Sequence, residues 1–362
     1  MGLSANALGA TSYTIVDLGD LGGMYGQARA INEQGQIVGE SLLPGDGIVQ
    51  HGFSWQAGTL SDLGTLGGQN SRAVDINSNG TIAGWAQDAS GFARPALWEG
   101  NRVVGLPTLG GSSGAAWGLN DAGTAVGNAE LSAGGFHAAL WDAGGVTDLG
   151  TLGGSYSVAY DLNDGGRAVG TAYDAVGQER ASLWESGSAV DLGDLSGGRW
   201  TAARSINEAG EIILWGKPSG VAENHAVFWR GDAGSPVVDL GTFGGSESWA
   251  YGLNDQGFVV GWAGKADGTY HAFVWDGAVM TDLGTLGGPF SSAYGINDQG
   301  TIVGWAQDQG GVTHAIAWVA VPEPSRVWLL LGGMFALYRS RRRRPGASYL
   351  SARLTENQTR RA

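Results

Sequence analysis

Asp282-Leu283-Gly284-Thr285-Leu286-Gly287-Gly288 decides the reading of this chain, because the phrase returns along almost its whole length. Copies begin at Asp17, Asp62, Gly105, Asp148, Asp191, Asp239 and Asp282, at intervals of 45, 43, 43, 43, 48 and 43 residues. A fixed period in this range marks a solenoid, a propeller or another array. Each unit carries three further landmarks. An Ile/Leu-Asn-x-x-Gly segment comes first, as in Ile296-Asn297-Asp298-Gln299-Gly300. An apolar run ending in Gly follows, as in Ile302-Val303-Gly304-Trp305. The last is the segment typified by His271-Ala272-Phe273-Val274-Trp275.

These landmarks read as short strands between turns. Asn and Asp bond their own backbone in a turn, and Gly supplies positive φ. The apolar and β-branched runs beside them suit strands, and Gly is too frequent for helix. Four strands are expected per unit, around Ala293–Ile296, Thr301–Ala306, His271–Trp275 and Ala278–Leu283 in their respective copies. Four short strands in about 43 residues is the pattern of a β-propeller blade. The last unit stops at Trp318 without a fourth strand, and Ser12-Tyr13-Thr14-Ile15-Val16-Asp17 supplies one at the other end. The expectation is an all-β, seven-bladed β-propeller over 12–318, closed by its N-terminal strand so that no sheet edge stays open. An open β-solenoid is the competing architecture and would need capping ends.

Unit five departs most from the pattern. It reads Asp194-Leu195-Ser196-Gly197-Gly198, carries Leu214 where other units have Gly, and holds extra residues around Gly231–Pro236.

Composition bounds function. There is no Cys, which excludes disulfides, thiolate metal sites and a Cys nucleophile. Up to Ser325 the chain holds 33 acidic and 11 basic residues; from Arg326 onward it holds 1 and 9. An acidic body with only Lys217 and Lys265 as lysines argues against nucleic-acid binding. The ends are read as separate segments. Residues 1–11 are a remnant of a signal peptide or a disordered start. Residues 319–326 are a Pro-Glu-Pro linker. Residues 327–344 are a short apolar transmembrane helix followed by the cluster Arg341, Arg342, Arg343 and Arg344, which would stay cytoplasmic. Residues 345–362 are a disordered tail.

Candidate site residues recur in fixed slots. His51, His137, His225, His271 and His314 share one, filled by Arg94 and Arg180 in units two and four. A catalytic His is usually singular, so a structural role is expected, with the imidazole bonding neighbouring backbone. No paired His spacing points to a metal. Trp55, Trp98, Trp141, Trp184, Trp229, Trp275 and Trp318 share another slot, suited to packing between blades. Trp85, Trp262 and Trp305 form a second set, and Trp117, Trp200 and Trp249 precede the Asn turn; exposed members could stack on sugar rings. The acidic turns at Asp121, Asp164, Asp255 and Asp298 lack full calcium-loop spacing. The Gly-rich phrases are not phosphate loops, since no Gly-Lys-Ser/Thr follows. No cofactor is expected.

The units, with His271-Ala272-Phe273 and the Asp-Leu-Gly-Thr-Leu-Gly-Gly phrase, resemble the HAF family of probable extracellular bacterial repeats. That resemblance implies no assigned activity. The C-terminus is similar to a PEP-CTERM sorting signal, with its Pro322-Glu323-Pro324 triplet, apolar segment and Arg cluster. This implies export, transient residence in the inner membrane, cleavage near the triplet by an exosortase-type protease, and a cell-surface or extracellular location. Such signals accompany exopolysaccharide production. The expected function is therefore a surface-associated binding module, not an enzyme, for a polysaccharide or another envelope component. One alternative is a glycan lyase or hydrolase with its site in the propeller mouth, for which Arg199, Arg204 and Glu211 of unit five are candidates. The other is a purely structural matrix or adhesion protein.

Overall fold

The structure, a computed structural model, describes residues 12–321 except 46, 101 and 233. They form β-strands and one 3-10 turn, Leu195–Gly197. Units one to five each fold as a four-stranded antiparallel sheet in chain order. Unit one, for example, runs Gly26–Ile31, Ile37–Leu42, Gln50–Gln56 and Thr59–Asp62. The first strand of each unit is the inner one. Its start lies earlier than the sequence suggests, at the Gly-Gly that ends the repeated phrase (Gly67, Gly110, Gly153, Gly244 and Gly287). Thr65 Oγ1 donates to Gly68 O at 2.9 Å and folds the phrase back into the strand.

The fold class expected from the repeats needs two corrections. The protein is an all-β propeller of four-stranded sheets, but it does not contain seven separate ones. Five four-stranded sheets are discrete, and a sixth sheet has eight strands. Units six and seven fuse in it through a single parallel bridge, Tyr270 to Phe290. The two rings stack there at 4.5 Å with their planes 25° apart, which draws the strand Tyr270–Trp275 against Gly287–Ile296. The second correction concerns the transmembrane helix. Among the described residues no helix is long and apolar enough to cross a membrane. The stretch 327–344, like the Pro322-Glu323-Pro324 triplet and residues 1–11, lies outside the described residues.

The N-terminal strand Ser12–Asp17 pairs with Thr313–Val321, the third strand of unit seven. Leu18 N donates to Ala315 O at 2.9 Å, and His314 Nδ1 lies 3.1 Å from Asp17. The first and last units are thereby tied.

Cores lie between neighbouring units. One cluster joins Val38 of unit one to Ala73, Ile82 and Trp98 of unit two. The packing slot of Trp98, Trp141 and Trp318 also carries a hydrogen bond. Each indole Nε1 donates to a carbonyl of the phrase that opens its own repeat: Leu63 O at 2.9 Å, Pro107 O at 2.7 Å and Leu283 O at 2.8 Å. Trp184, Trp229 and Trp275 are also buried, Trp184 Nε1 without a hydrogen-bond partner, while Trp55 is half-buried.

Glycine is required in the second strand because backbones approach closely there. A Cβ on Gly39 would meet Gln27 O at 2.0 Å. In unit five an irregularity between Trp200 and Ala202 moves this approach to Gly216, whose Cβ would lie 2.0 Å from Arg199 O. Leu214, paired with Ala203, is consequently free to fill the core.

Candidate functional site

The turn after each inner strand builds the centre of the molecule. Asn32, Asn77, Asn120, Asn163, Asn207, Asn254 and Asn297 are all buried. Each amide accepts from backbone N–H groups of its own turn; Asn77 Oδ1, for instance, takes those of Asn79 and Thr81 at 3.1 and 3.0 Å. Each Nδ2 then donates to the carbonyl of the corresponding Asn in the next unit, at 3.1–3.3 Å. The last bond, Asn297 to Asn32, closes the ring.

A carboxylate rim follows one residue later. The backbone N–H of Ser78 is capped by Asp121, that of Asp121 by Asp164, that of Asp164 by Glu208, that of Glu208 by Asp255, and that of Asp255 by Asp298, at 2.8–3.0 Å. Asp298 N donates to Glu33 at 2.8 Å. The acidic turn residues are thus inter-unit caps. Among the described residues no group of His, Cys, Asp or Glu could hold a metal ion.

Inside the rim lies a cavity of about 450 Å³. That is within the range of roughly 300–1,000 Å³ usual for small-molecule sites. It is lined where the repeats differ most, three residues before each Asn: Arg29, Val74, Trp117, Tyr160, Arg204, Tyr251 and Tyr294. Five of these, Arg29, Trp117, Arg204, Tyr251 and Tyr294, face a residue of the second strand, eight after the Asn. Arg29 Nε donates to both oxygens of Glu40, at 3.1 and 2.9 Å. Trp117 Nε1 donates to Asn128 Oδ1 at 2.7 Å. Trp262 and Trp305 donate to the hydroxyls of Tyr251 and Tyr294, at 3.4 and 3.1 Å.

Arg204 differs from Arg29. Its second-strand neighbour is Trp215, whose ring centroid lies 5.0 Å from the guanidinium carbon. That carbon also lies 3.9 Å from the centre of the Tyr160 ring and 5.9 Å from that of Tyr251. Arg204 Nε is buried without a hydrogen-bond partner, and Arg204 makes no ion pair among the described residues. Burial, chiefly, lowers its pKa. Burial works against the charge of Arg29 too, but Glu40 more than restores it and its pKa is raised. Arg72 reaches the same Glu40 at 3.6 Å.

Two carboxylates also line the cavity, two residues before Asn in units two and four. Asp75 accepts from Ile76 N at 2.8 Å and Leu119 N at 2.7 Å. Burial, reinforced by the charge of Asp161, pushes its carboxyl up to about 7. Asp161 accepts from Leu162 N, Ser205 Oγ and Ile206 N at 2.6–3.0 Å, and burial raises its pKa as well.

Among the solved structures to which the chain is similar is TolB from Acinetobacter baumannii. It shows 11% identity over 66% of this chain and 63% of that one, with a TM-score of 0.41. A puromycin hydrolase shows 15% identity over 81% of this chain and half of that one, at 0.49. The Aleuria aurantia lectin shows 13% over 69% and 95%, at 0.37. No family model matches. No curated protein matches either. At these scores the likenesses transfer no site and no activity.

The residues singled out in the sequence divide clearly. Of the three candidates in unit five, Arg204 lines the cavity; Arg199 and Glu211 are not among its lining residues. Glu211 accepts from Asn207 Nδ2 at 2.8 Å. The histidines do not meet one another. Each Nδ1 bonds an Asp of a repeated phrase rather than backbone: His51 to Asp62 and His271 to Asp282 at 2.8 Å, His137 to Asp148 and His225 to Asp239 at 2.9 Å. Arg180 takes the same role towards Asp191 at 3.0 Å. Arg94 turns to Asp88 at 2.9 Å, because the next phrase begins with Gly105. Sequence reasoning missed Arg29, Arg72, Asp75, Tyr160, Tyr251 and Tyr294. For Arg29, Tyr160, Tyr251 and Tyr294 the signal is the slot three before Asn, where an otherwise regular repeat varies; Arg72 and Asp75 lie five and two before Asn77.

Proposed function

We propose that this protein is a saccharide-binding module whose site is the central cavity. The observation that carries the reading is the lining. Carboxylates at the rim accept hydrogen bonds and cannot donate them, so they suit the hydroxyls of a polyol. Guanidinium groups donate to its ring and hydroxyl oxygens. The tyrosine and tryptophan faces suit the C–H surface of a sugar ring. A regular scaffold whose repeats vary most around its axis fits a built site better than a purely structural repeat.

Binding is favoured over turnover by the state of the two cavity-lining carboxyls. Both oxygens of Asp75 and of Asp161 already accept backbone N–H groups, which leaves neither aimed freely at a ligand. The sequence signal at 322–344 suits a surface address, and envelope polysaccharide is then the natural source of ligand. The test is a titration calorimetry screen of neutral and acidic oligosaccharides, followed by product analysis of every binder. Binding in the micromolar to millimolar range without cleavage, lost in Tyr251→Ala, supports the reading. Cleaved products favour a glycan-active enzyme. Absence of binding across the panel removes the proposal.

A further inference from the structure

We infer that the saccharide carries a carboxylate and that Arg204 receives it; this rests on the saccharide-binding reading. Arg29 and Arg204 occupy equivalent positions on the inner strands of units one and five. The facing position on the second strand holds Glu40 in unit one and Trp215 in unit five. Arg29 therefore has its counter-charge inside the protein, with both Glu40 oxygens engaged. Arg204 has three aromatic rings, an unpartnered Nε and no ion pair among the described residues.

A buried charge without a partner is costly, and the cost is relieved when an opposite charge arrives with hydrogen bonds. Asp161 acts on Arg204 only through its field, since its oxygens are occupied by Leu162, Ser205 and Ile206. The missing anion must then come from the cavity. A planar carboxylate matches the guanidinium fork, and the aromatic rings around Arg204 suit the sugar ring that bears it. The acidic rim limits the ligand to a single such charge at the bottom of the cavity, with hydroxyls towards the rim. The ligand class is a hexuronate residue, free or at the end of an oligosaccharide.

The test compares galacturonate and glucuronate oligosaccharides with the matching galactose and glucose oligomers, by calorimetry on the full chain. The acidic sugars are expected to bind at least tenfold more tightly. In Arg204→Met that preference disappears, so that the acidic and the matching neutral sugars bind with equal affinity. Arg204→Lys, which keeps the charge and loses the fork, retains part of the preference and serves if the Met variant does not fold. Equal affinity for acidic and neutral sugars in the parent protein overturns this inference and leaves the saccharide reading intact. So does a preference that survives in both variants. If no sugar binds, the saccharide reading falls and takes this inference with it.

Discussion

Arg29 and Arg204 show how one residue type at one repeat position acquires opposite energetic signs. Arg29→Met leaves Glu40, 1% exposed, without its main partner. Stranding a buried charge of this kind costs about 3 kcal/mol, toward the low end because the Arg29 side chain is 21% exposed. Arg204→Met instead removes a half-buried charge that has no partner, and the ligand-free protein should gain up to about 1 kcal/mol. Urea unfolding of both variants checks the pair: the midpoint falls for the first and rises for the second. Asp75 offers a titration at the same scale. Its folded pKa, about 7, lies above its unfolded value, so the folded state holds a proton that the unfolded chain releases. The stability it contributes is fully present below the unfolded pKa and is lost as pH rises through 7. The melting temperature should therefore fall as pH rises from 5 to about 7, and Asp75→Asn should flatten that fall. A profile identical in both proteins would show that Asp75 does not titrate there.

At the scale of strands and turns, the Asn ring is the feature that joins units about the axis. Asn77→Ala removes the bond to Asn120 O and leaves the N–H groups of Asn79 and Thr81 without their acceptor. Unsatisfied buried groups cost about 1–3 kcal/mol each, so a loss of about 3 kcal/mol is expected from chemical denaturation. Strand number and turn chemistry were legible because they are local: apolar runs, Asn-x-x-Gly turns and the Gly-Gly phrase declare themselves in every unit. The number of separate sheets was not. It depends on Tyr270 stacking on Phe290, a contact between units that the repeat pattern does not record. The candidate site was legible in part. Arg204 stands out because unit five departs from the repeat. That it shares a cavity with Arg29, Asp75 and Tyr294 requires knowing which slots face the axis. That Arg204 lacks a counter-charge requires knowing which second-strand residue, Trp215 or another, stands opposite.

For the whole molecule, closure is the decisive feature. The strand Ser12–Asp17 covers the edge of Thr313–Val321, and its removal exposes a row of unpaired backbone groups. A chain starting at Gly19 should melt lower and self-associate, which analytical ultracentrifugation detects. Net charge acts at this scale as well. The acidic body repels any anion at long range, whereas a pair formed within the cavity is screened little by salt. Hexuronate oligosaccharides should consequently bind more tightly at 0.3 M than at 0.02 M salt, roughly a Debye length of 5 against 20 Å. The opposite trend would place the anion on the exposed surface.

The central claim is that a saccharide occupies the cavity on the axis. The most direct measurement is a crystal structure of the protein with the tightest-binding oligosaccharide from the screen. Sugar density is expected inside the Asn ring, with ring faces against Tyr251 or Tyr160, hydroxyls on the carboxylate rim, and an acidic group at Arg204. Density confined to the outer surface, with the cavity unchanged, would contradict it.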